Sequence, residues 1–359
     1  MFIHLSCASA FSFKYGTAQP RQLVERAAQF GAPALAITDR DSLAGVIRFA
    51  QATQEFGIAP IVGINLALDK SNNKSRVTLL AQSDGGWRSL CRLLSALRED
   101  RKNSSAPILN LAQLPDLSQY TKNLILLHGP ESSIADLITK HRSDLALIEF
   151  NKYRAFFAES VIECTSHLVA GDGPRSTNHA ARMLGFARDH DLPAIITNGV
   201  RMLDPQDGPI ADILDSARKL VPLHPRHVER KNNEAYLKDH DAMRALADEI
   251  ARAAGERNGR QLLRTTQRIA ERCILTPHQF GLGGIELPEP EVVGASSYQE
   301  LRALLRSRCE SGLNWRYSTS TDLTKARARL DDELAVVATL GYESYFLTVA
   351  DVTDMARGA

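Results

Sequence analysis

Up to about residue 200, short apolar runs alternate with amphipathic stretches of helical period. The runs Phe2–Leu5, Ala34–Thr38, Pro60–Leu68, Arg76–Ala81, Asn123–Leu127, Leu145–Phe150 and Ala194–Thr197 predict strands. Between them, Gln22–Phe30, Ser42–Phe56, Trp87–Leu97 and Ser176–His190 predict helices, with Trp87, Leu90 and Leu94 on one core-facing stripe. Strands alternating with helices imply an α/β fold with a parallel sheet and crossover helices. No dinucleotide-type glycine fingerprint follows a strand, so a closed barrel suits the pattern better than an open, doubly wound sheet. Punctuation agrees with this layout. Gly31 and Gly57 follow helical runs as C′ residues, and Asp41 or Ser42 is available as an N-cap. Arg101–Pro115 reads as an excursion loop and Gly171-Asp172-Gly173-Pro174 as a turn. Gly85-Gly86 reads as a turn ahead of a helix, not a phosphate loop, because no Gly-Lys-Ser/Thr follows.

Beyond Leu203 the pattern becomes mostly helical, at Gly208–Leu220, Asp241–Ala254 and Gln261–Cys273. A Gly- and Pro-rich stretch without periodicity then precedes further helices at Ser297–Leu313 and Asp322–Leu340. The expected organisation is a barrel core over 1–205, a helical tail of that domain over 206–280, a linker over 281–295 and a second region over 296–359. The second region stops inside a still-periodic segment and reads as the truncated start of a larger domain.

Composition narrows the function classes. Hydrophobic residues at 44% and charged residues at 24% are ordinary for a globular chain, and no apolar window of about 18 residues predicts a membrane span. The start, MFIHLSCASAFSF, has no basic n-region, which argues against a secretory signal. Five cysteines without a C-x-x-C pair fit a reducing cytoplasm rather than a disulfide framework or a zinc ribbon. The net charge of +1 argues against a module that wraps nucleic acid by itself, since each phosphate contact needs a cation. Basic character is local, as in Arg218–Lys231 with His224 and His227, which reads as a solvated loop and lacks a further ligand for zinc.

Four segments together carry a family resemblance: FIHLSCASAFSFKYG with the LVERAAQFGAPALAITDRDSLAGVIRF stretch after it; RVTLLAQSDGGWRSLCRLLS; ARDHDLPAIITNGVRMLDP; and RLDDELAVVATLGYESYFLTVADVTDMARG. In this order they resemble the amino-terminal part of bacterial DNA polymerase III alpha subunits, the C-family DNA polymerases. The resemblance implies a polymerase-and-histidinol-phosphatase (PHP) domain over about 1–280, a distorted (β/α)7 barrel of seven strands. It also implies that the polymerase palm begins near 286 (about 296 by pattern), where Tyr342, Tyr345 and Phe346 would pack and Arg327 and Arg329 would approach template or remain on the surface. The parent enzyme would be a nucleotidyltransferase that needs Mg2+ and acts on DNA in replication or repair, with other replisome or repair subunits as partners. Its metal-binding carboxylates would lie downstream, so this fragment alone is expected to be inactive.

The resemblance also implies that a metal site has degenerated. PHP phosphoesterases hold metal ions with His, Asp, Glu and Cys, whose lone pairs suit such ions. The family's His-x-His aligns with Ser6-Cys7-Ala8, its Asp before Gly with Tyr15, and its Thr-Asp-His with Thr38-Asp39-Arg40. Its Glu falls on Asn65, its next His on Arg76, its Cys or His on Pro130, and its closing Asp-x-His on Gly199-Val200-Arg201. The vestigial cleft is therefore Ser6, Ala8, Tyr15, Arg40, Asn65, Arg76, Pro130, Gly199 and Arg201, with no catalytic and no metal-binding residue. Nearby ligand types are His4, Cys7, Asp39 and His128; Cys7, one residue from both Ser6 and Ala8, points to the opposite face of a strand. Arg40, Arg76 and Arg201 form a candidate anion-binding set for phosphate or DNA backbone. Pairing with Asp39, Asp41 or other carboxylates is the preferred reading, because a vacated polar pocket must satisfy its buried groups. The expected function is structural support for DNA synthesis without phosphoesterase or proofreading activity. The alternatives are a metal-dependent PHP phosphoesterase and a phosphate- or DNA-binding module.

Overall fold

The computed structural model describes every residue except 69–74, 100–106, 229, 281–284, 318–322 and 359. Parts of the expected loop Arg101–Pro115 and of the expected linker 281–295 thus lie outside the described residues. The chain forms two compact units, Met1–Leu282 and Gly283–Ala359.

The first unit is built on a six-stranded sheet in sequence order: β1 (Ala34–Arg40), β2 (Ala59–Ala67), β3 (Arg76–Ala81), β4 (Leu124–His128), β5 (Glu159–Cys164) and β6 (Ala194–Ile196). Around it lie α1 (Pro20–Gln29), α2 (Val46–Phe56), α3 (Ser83–Glu99), the short α4 (Leu114–Leu117), α5 (Ser133–Thr139), α6 (Ser143–Arg154) and α7 (Thr177–Asp189). The helical tail adds α8 (Gly208–Lys219), α9 (His240–Ala253) and α10 (Arg260–Cys273). Helix starts follow local chemistry. Ser132, Ser176 and Asp239 cap α5, α7 and α9 by accepting from Ala135, His179 and Ala242 N–H groups, and Pro20 opens α1 where no donor is missed.

Strand residues are buried on both faces, and alternate positions feed different clusters. Leu35, Ile37, Leu124 and Leu126 join the cluster under the outer helices, whereas Ala34, Ala36, Ile125 and Leu127 meet Ile269, Ala270 and Cys273 of α10. Such two-sided burial explains why the strands read as continuous apolar runs.

The structure corrects three sequence expectations. First, the sheet is mixed: β3 is antiparallel to both β2 and β4, and the other pairs are parallel. Only residues 68–75 join β2 to β3, too short a link for a parallel crossover. Second, Leu145–Phe150 is not a strand but part of α6. Its buried residues Ala146, Phe150 and Tyr153 recur with helical spacing, while Leu145 and Ile148 are exposed. The strand missed in that region is β5, whose apolar run is interrupted by Glu159 and Glu163.

Third, Phe2–Leu5 forms no seventh strand. Residues 4–8 instead lie between β1 and the segment after β6. Ala36 and Thr38 N–H groups donate to the His4 and Cys7 carbonyls at 2.9 and 2.8 Å, and Val200 N–H donates to Ser6 O at 2.9 Å. Thr38 Oγ1 accepts from Cys7 N–H at 2.8 Å, a backbone group that a regular ladder would use. An irregular segment thereby joins the two edges of the curled sheet. Gly199, at φ +50°, supplies the left-handed turn that aims Val200 at it. Smaller differences are that Gly85 and Gly86 lie within α3, and that Trp87 is half-buried while Leu90 and Leu94 are buried.

The second unit contains α11 (Tyr298–Tyr317), α12 (Leu323–Leu340) and α13 (Glu343–Gly358) around Ala295, Leu301, Leu305 and Leu347. Tyr345 and Phe346 stand half-exposed on α13, and Arg327 and Arg329 pair with Glu310 and Glu333 at 2.7 and 2.6 Å. No helix among the described residues is long and apolar enough to cross a membrane.

Candidate functional site: a cleft at one rim of the sheet

Strand direction brings the predicted residues together. Arg40 and Asn65 lie at the C-terminal ends of parallel β1 and β2, and Arg76, first residue of antiparallel β3, arrives at the same rim. Gly129 and Pro130 follow β4, Gly199 follows β6, and Ser6 and Ala8 come from the segment that closes the sheet. All of these and Tyr15 line one small cavity. Of the nine residues read as the vestigial cleft, only Arg201 is absent from the wall.

Arg201 points away, into the protein. Its Nη2 and Nη1 reach Asp215 Oδ1 and Oδ2 at 3.0 and 3.2 Å, and its guanidinium carbon lies 4.3 Å from the Tyr15 ring centre. The expectation of three arginines facing one cleft is corrected here, because α8 presents a buried carboxylate behind the wall. Tyr15 separates the two regions: its ring lies 3.5 Å from the Arg40 guanidinium carbon.

Three charged wall residues escaped the sequence reading: Glu131, Glu163 and Arg175. Glu131 accepts from Arg40 Nη2 at 3.1 Å and from Arg175 Nη2. Burial alone would raise the Glu131 pKa, but Arg40 and Arg175 outweigh it and hold the carboxyl at about 2. Arg76 is committed to Asn65 Oδ1 at 2.5 Å and to Asp41 Oδ1 at 2.8 Å. Glu163, on β5, accepts from Thr197 Oγ1 at 2.6 Å, and its burial raises its pKa. Glu131 had a signal, since it adjoins Pro130, an aligned ligand position. Glu163 was lost with the misplaced strand. Arg175 follows a turn at φ +67°, and turn composition does not say where a side chain will point.

The other ligand-type residues near the cleft do not line it. His4 bonds the Lys238 carbonyl at 2.8 Å, Cys7 lies in the apolar core, and His128 is packed between Phe150 and Tyr153. Asp39, 2% exposed, accepts from Ser9 N–H at 2.6 Å, Ser9 Oγ at 2.9 Å and Ser12 Oγ at 2.7 Å. It thereby fixes the loop that carries Tyr15. Asp39→Ala strands these donors and is expected to cost about 1–3 kcal/mol in urea unfolding, and Asp39→Asn less. An equal cost for both would mean that the loop does not depend on the acceptor. Among the described residues, no three His, Cys, Asp or Glu side chains are grouped to hold a metal ion.

Residues 4–167 match the PHP domain family, and residues 303–359 match the bacterial DNA polymerase III alpha NTPase domain. The chain joins a PHP domain to part of a bacterial DNA polymerase III alpha domain. An error-prone DNA polymerase of Symbiobacterium thermophilum is 31% identical to it, over 99% of this chain and 32% of that protein. One of Pseudomonas fluorescens is 29% identical, over 99% of this chain and 31% of that protein. The chain thus spans about a third of the length of the curated relatives it matches. A solved amidohydrolase from Chromobacterium violaceum is 16% identical, with a TM-score of 0.39, over 56% of this chain and 88% of that one. The PHP domain's cleft, as its neighbours arrange it, is a ring of arginine–carboxylate pairs and hydroxyls with Tyr15 at one side.

Proposed function

We propose that this PHP domain is a metal-free structural unit of a bacterial DNA polymerase, without phosphoesterase or proofreading activity of its own. The observation that carries the reading is the Arg40–Glu131–Arg175 cluster beside the Arg76–Asp41 pair. Two guanidiniums already use Glu131, and Asp41 is used by a third. The metal cluster of PHP phosphoesterases does not fit these residues. Ser6, Ala8, Tyr15, Asn65, Pro130 and Gly199 offer at best neutral oxygens, and a divalent ion would be repelled by the adjacent arginines.

In the whole protein, this domain would support the palm during DNA-templated synthesis. The nucleotidyl-transfer metals, Mg2+ in this reading, would be held by residues beyond this chain. The rest of the polymerase chain, DNA and other replisome or repair subunits are the partners this implies, in the cytoplasm. Purified protein is expected to carry far less than one equivalent of zinc, manganese or iron by elemental analysis. It is also expected not to hydrolyse p-nitrophenyl phosphate or trim a mismatched primer with added Mn2+. Stoichiometric metal together with turnover would overturn the proposal.

A further inference from the structure

We infer that the outer face of α10 is an interface for the phosphate backbone of duplex DNA, made by Arg260, Arg264 and Arg268. α10 closes the end of the sheet opposite the cleft. Just past the helix, Leu275 N–H donates to the Pro60 carbonyl near the start of β2, and Arg272 pairs with Glu159, which opens β5. The inner face of α10, including Leu262, Ile269 and Cys273, is buried. The three arginines recur every four residues on the other side, and all are exposed.

Among the described residues, the guanidiniums of Arg260, Arg264 and Arg268 make no hydrogen bond or ion pair. Other exposed arginines do: Arg21 pairs with Glu55, Arg142 with Asp144 and Arg244 with Asp241. Glu271, the carboxylate on this outer face, instead accepts from Gln267 Nε2 at 2.9 Å. Like charges at i, i+4 destabilise a helix, and Arg260 lies in the first turn, where the helix dipole disfavours a cation. The stripe therefore works against the helix that carries it and leaves three cations free for an anionic partner.

The face also selects the kind of anion. A rise of about 1.5 Å per residue spreads the three guanidiniums over about 12 Å, the length of a few phosphates along a duplex strand. Gln261 and Gln267 flank them, and α10 contains no aromatic residue. A protein interface is anchored by buried aromatic or apolar side chains, and single-stranded DNA by rings on which bases stack. A rigid row of guanidiniums and amides lacks both and suits phosphates, without reading sequence. The interface is local and one-sided, in keeping with a net charge of +1 for the whole chain. It does not depend on the chemistry of the cleft.

The test uses the purified chain and a fluorescent duplex of about 20 base pairs, read by anisotropy from about 50 to about 200 mM salt. The logarithm of the association constant is expected to fall against that of salt with a slope of about −2.7, since each neutralised phosphate contributes about −0.9. A duplex of unrelated sequence is expected to bind equally. The triple variant Arg260→Gln, Arg264→Gln, Arg268→Gln is expected to bind at least about tenfold more weakly at the lower salt. It is also expected to melt no lower than wild type, because it relieves like-charge repulsion. The control triple Arg21→Gln, Arg142→Gln, Arg244→Gln removes the same charge elsewhere and is expected to bind as wild type does. Wild type that does not bind duplex, or equal losses in the two triples, would overturn the inference. Poly-glutamate of matched charge that binds more tightly than duplex would overturn it too, in favour of an acidic protein partner.

Discussion

Acidifying the protein from about pH 7.5 to about pH 5.5 is expected to remove roughly 4 kcal/mol of stability through three buried histidines. Burial lowers the pKa of His4 to about 4, and of His128 and His167 to about 3, from 6.5. Each must stay neutral when folded but is free to take a proton when unfolded. A folded-state pKa below the unfolded one gives stability that is complete above pH 6.5 and is lost as pH falls toward 3–4. The loss is about 1.4 kcal/mol per group for one pH unit below 6.5. Asp39 and Glu163, whose pKa values burial raises, act in the opposite direction and reduce the net slope.

His128 isolates the effect. Neither of its ring nitrogens has a hydrogen-bond partner, and its ring packs 5.2 and 5.3 Å from the Phe150 and Tyr153 rings, a setting that suits phenylalanine. His128→Phe is expected to match or exceed wild-type stability near neutral pH and to gain about 1.4 kcal/mol on wild type between the two pH values. Guanidinium unfolding curves at each pH measure it. A variant whose stability tracks wild type across the range would show that His128 takes no part in acid unfolding.

Asp215→Ala is expected to cost about 3–5 kcal/mol, because it leaves Arg201 buried without its counter-charge. The side chains are 6% and 0% exposed, and the contact is bidentate. Burial would raise the Asp215 pKa, but hydrogen bonds and charge from Arg201 and Arg218 lower it overall. The same guanidinium donates to the Tyr15 carbonyl at 3.2 Å, so the pair ties α8 to the loop behind the cleft. Arg201→Ala is expected to cost a similar amount, whereas the double change Arg201→Met with Asp215→Leu should recover most of the loss. Calorimetric melting of the three variants decides the matter. A double variant as unstable as the sum of the singles would mean that packing, not charge burial, sets the cost.

Periodicity alone placed β1 to β4 and β6 and the long helices, because runs such as Leu124–Leu127 and stripes such as Leu90 and Leu94 carry their burial in their spacing. Spacing could not separate α6 from β5. Leu145–Phe150 is as apolar as a strand, and β5 bears Glu163 in its interior because its end faces a polar cleft. Most of the positions that line the rim, from Ser6 to Gly199, were likewise readable. Which charges meet was not. Arg201 turned from the cleft because α8, closing from the other side, offered Asp215. Arg175 entered because a left-handed residue after a turn aims its side chain across the rim at Glu131. Local sequence sets the period and burial of an element, whereas the partner of a buried charge depends on long-range approach of chain segments, which only the tertiary fold decides.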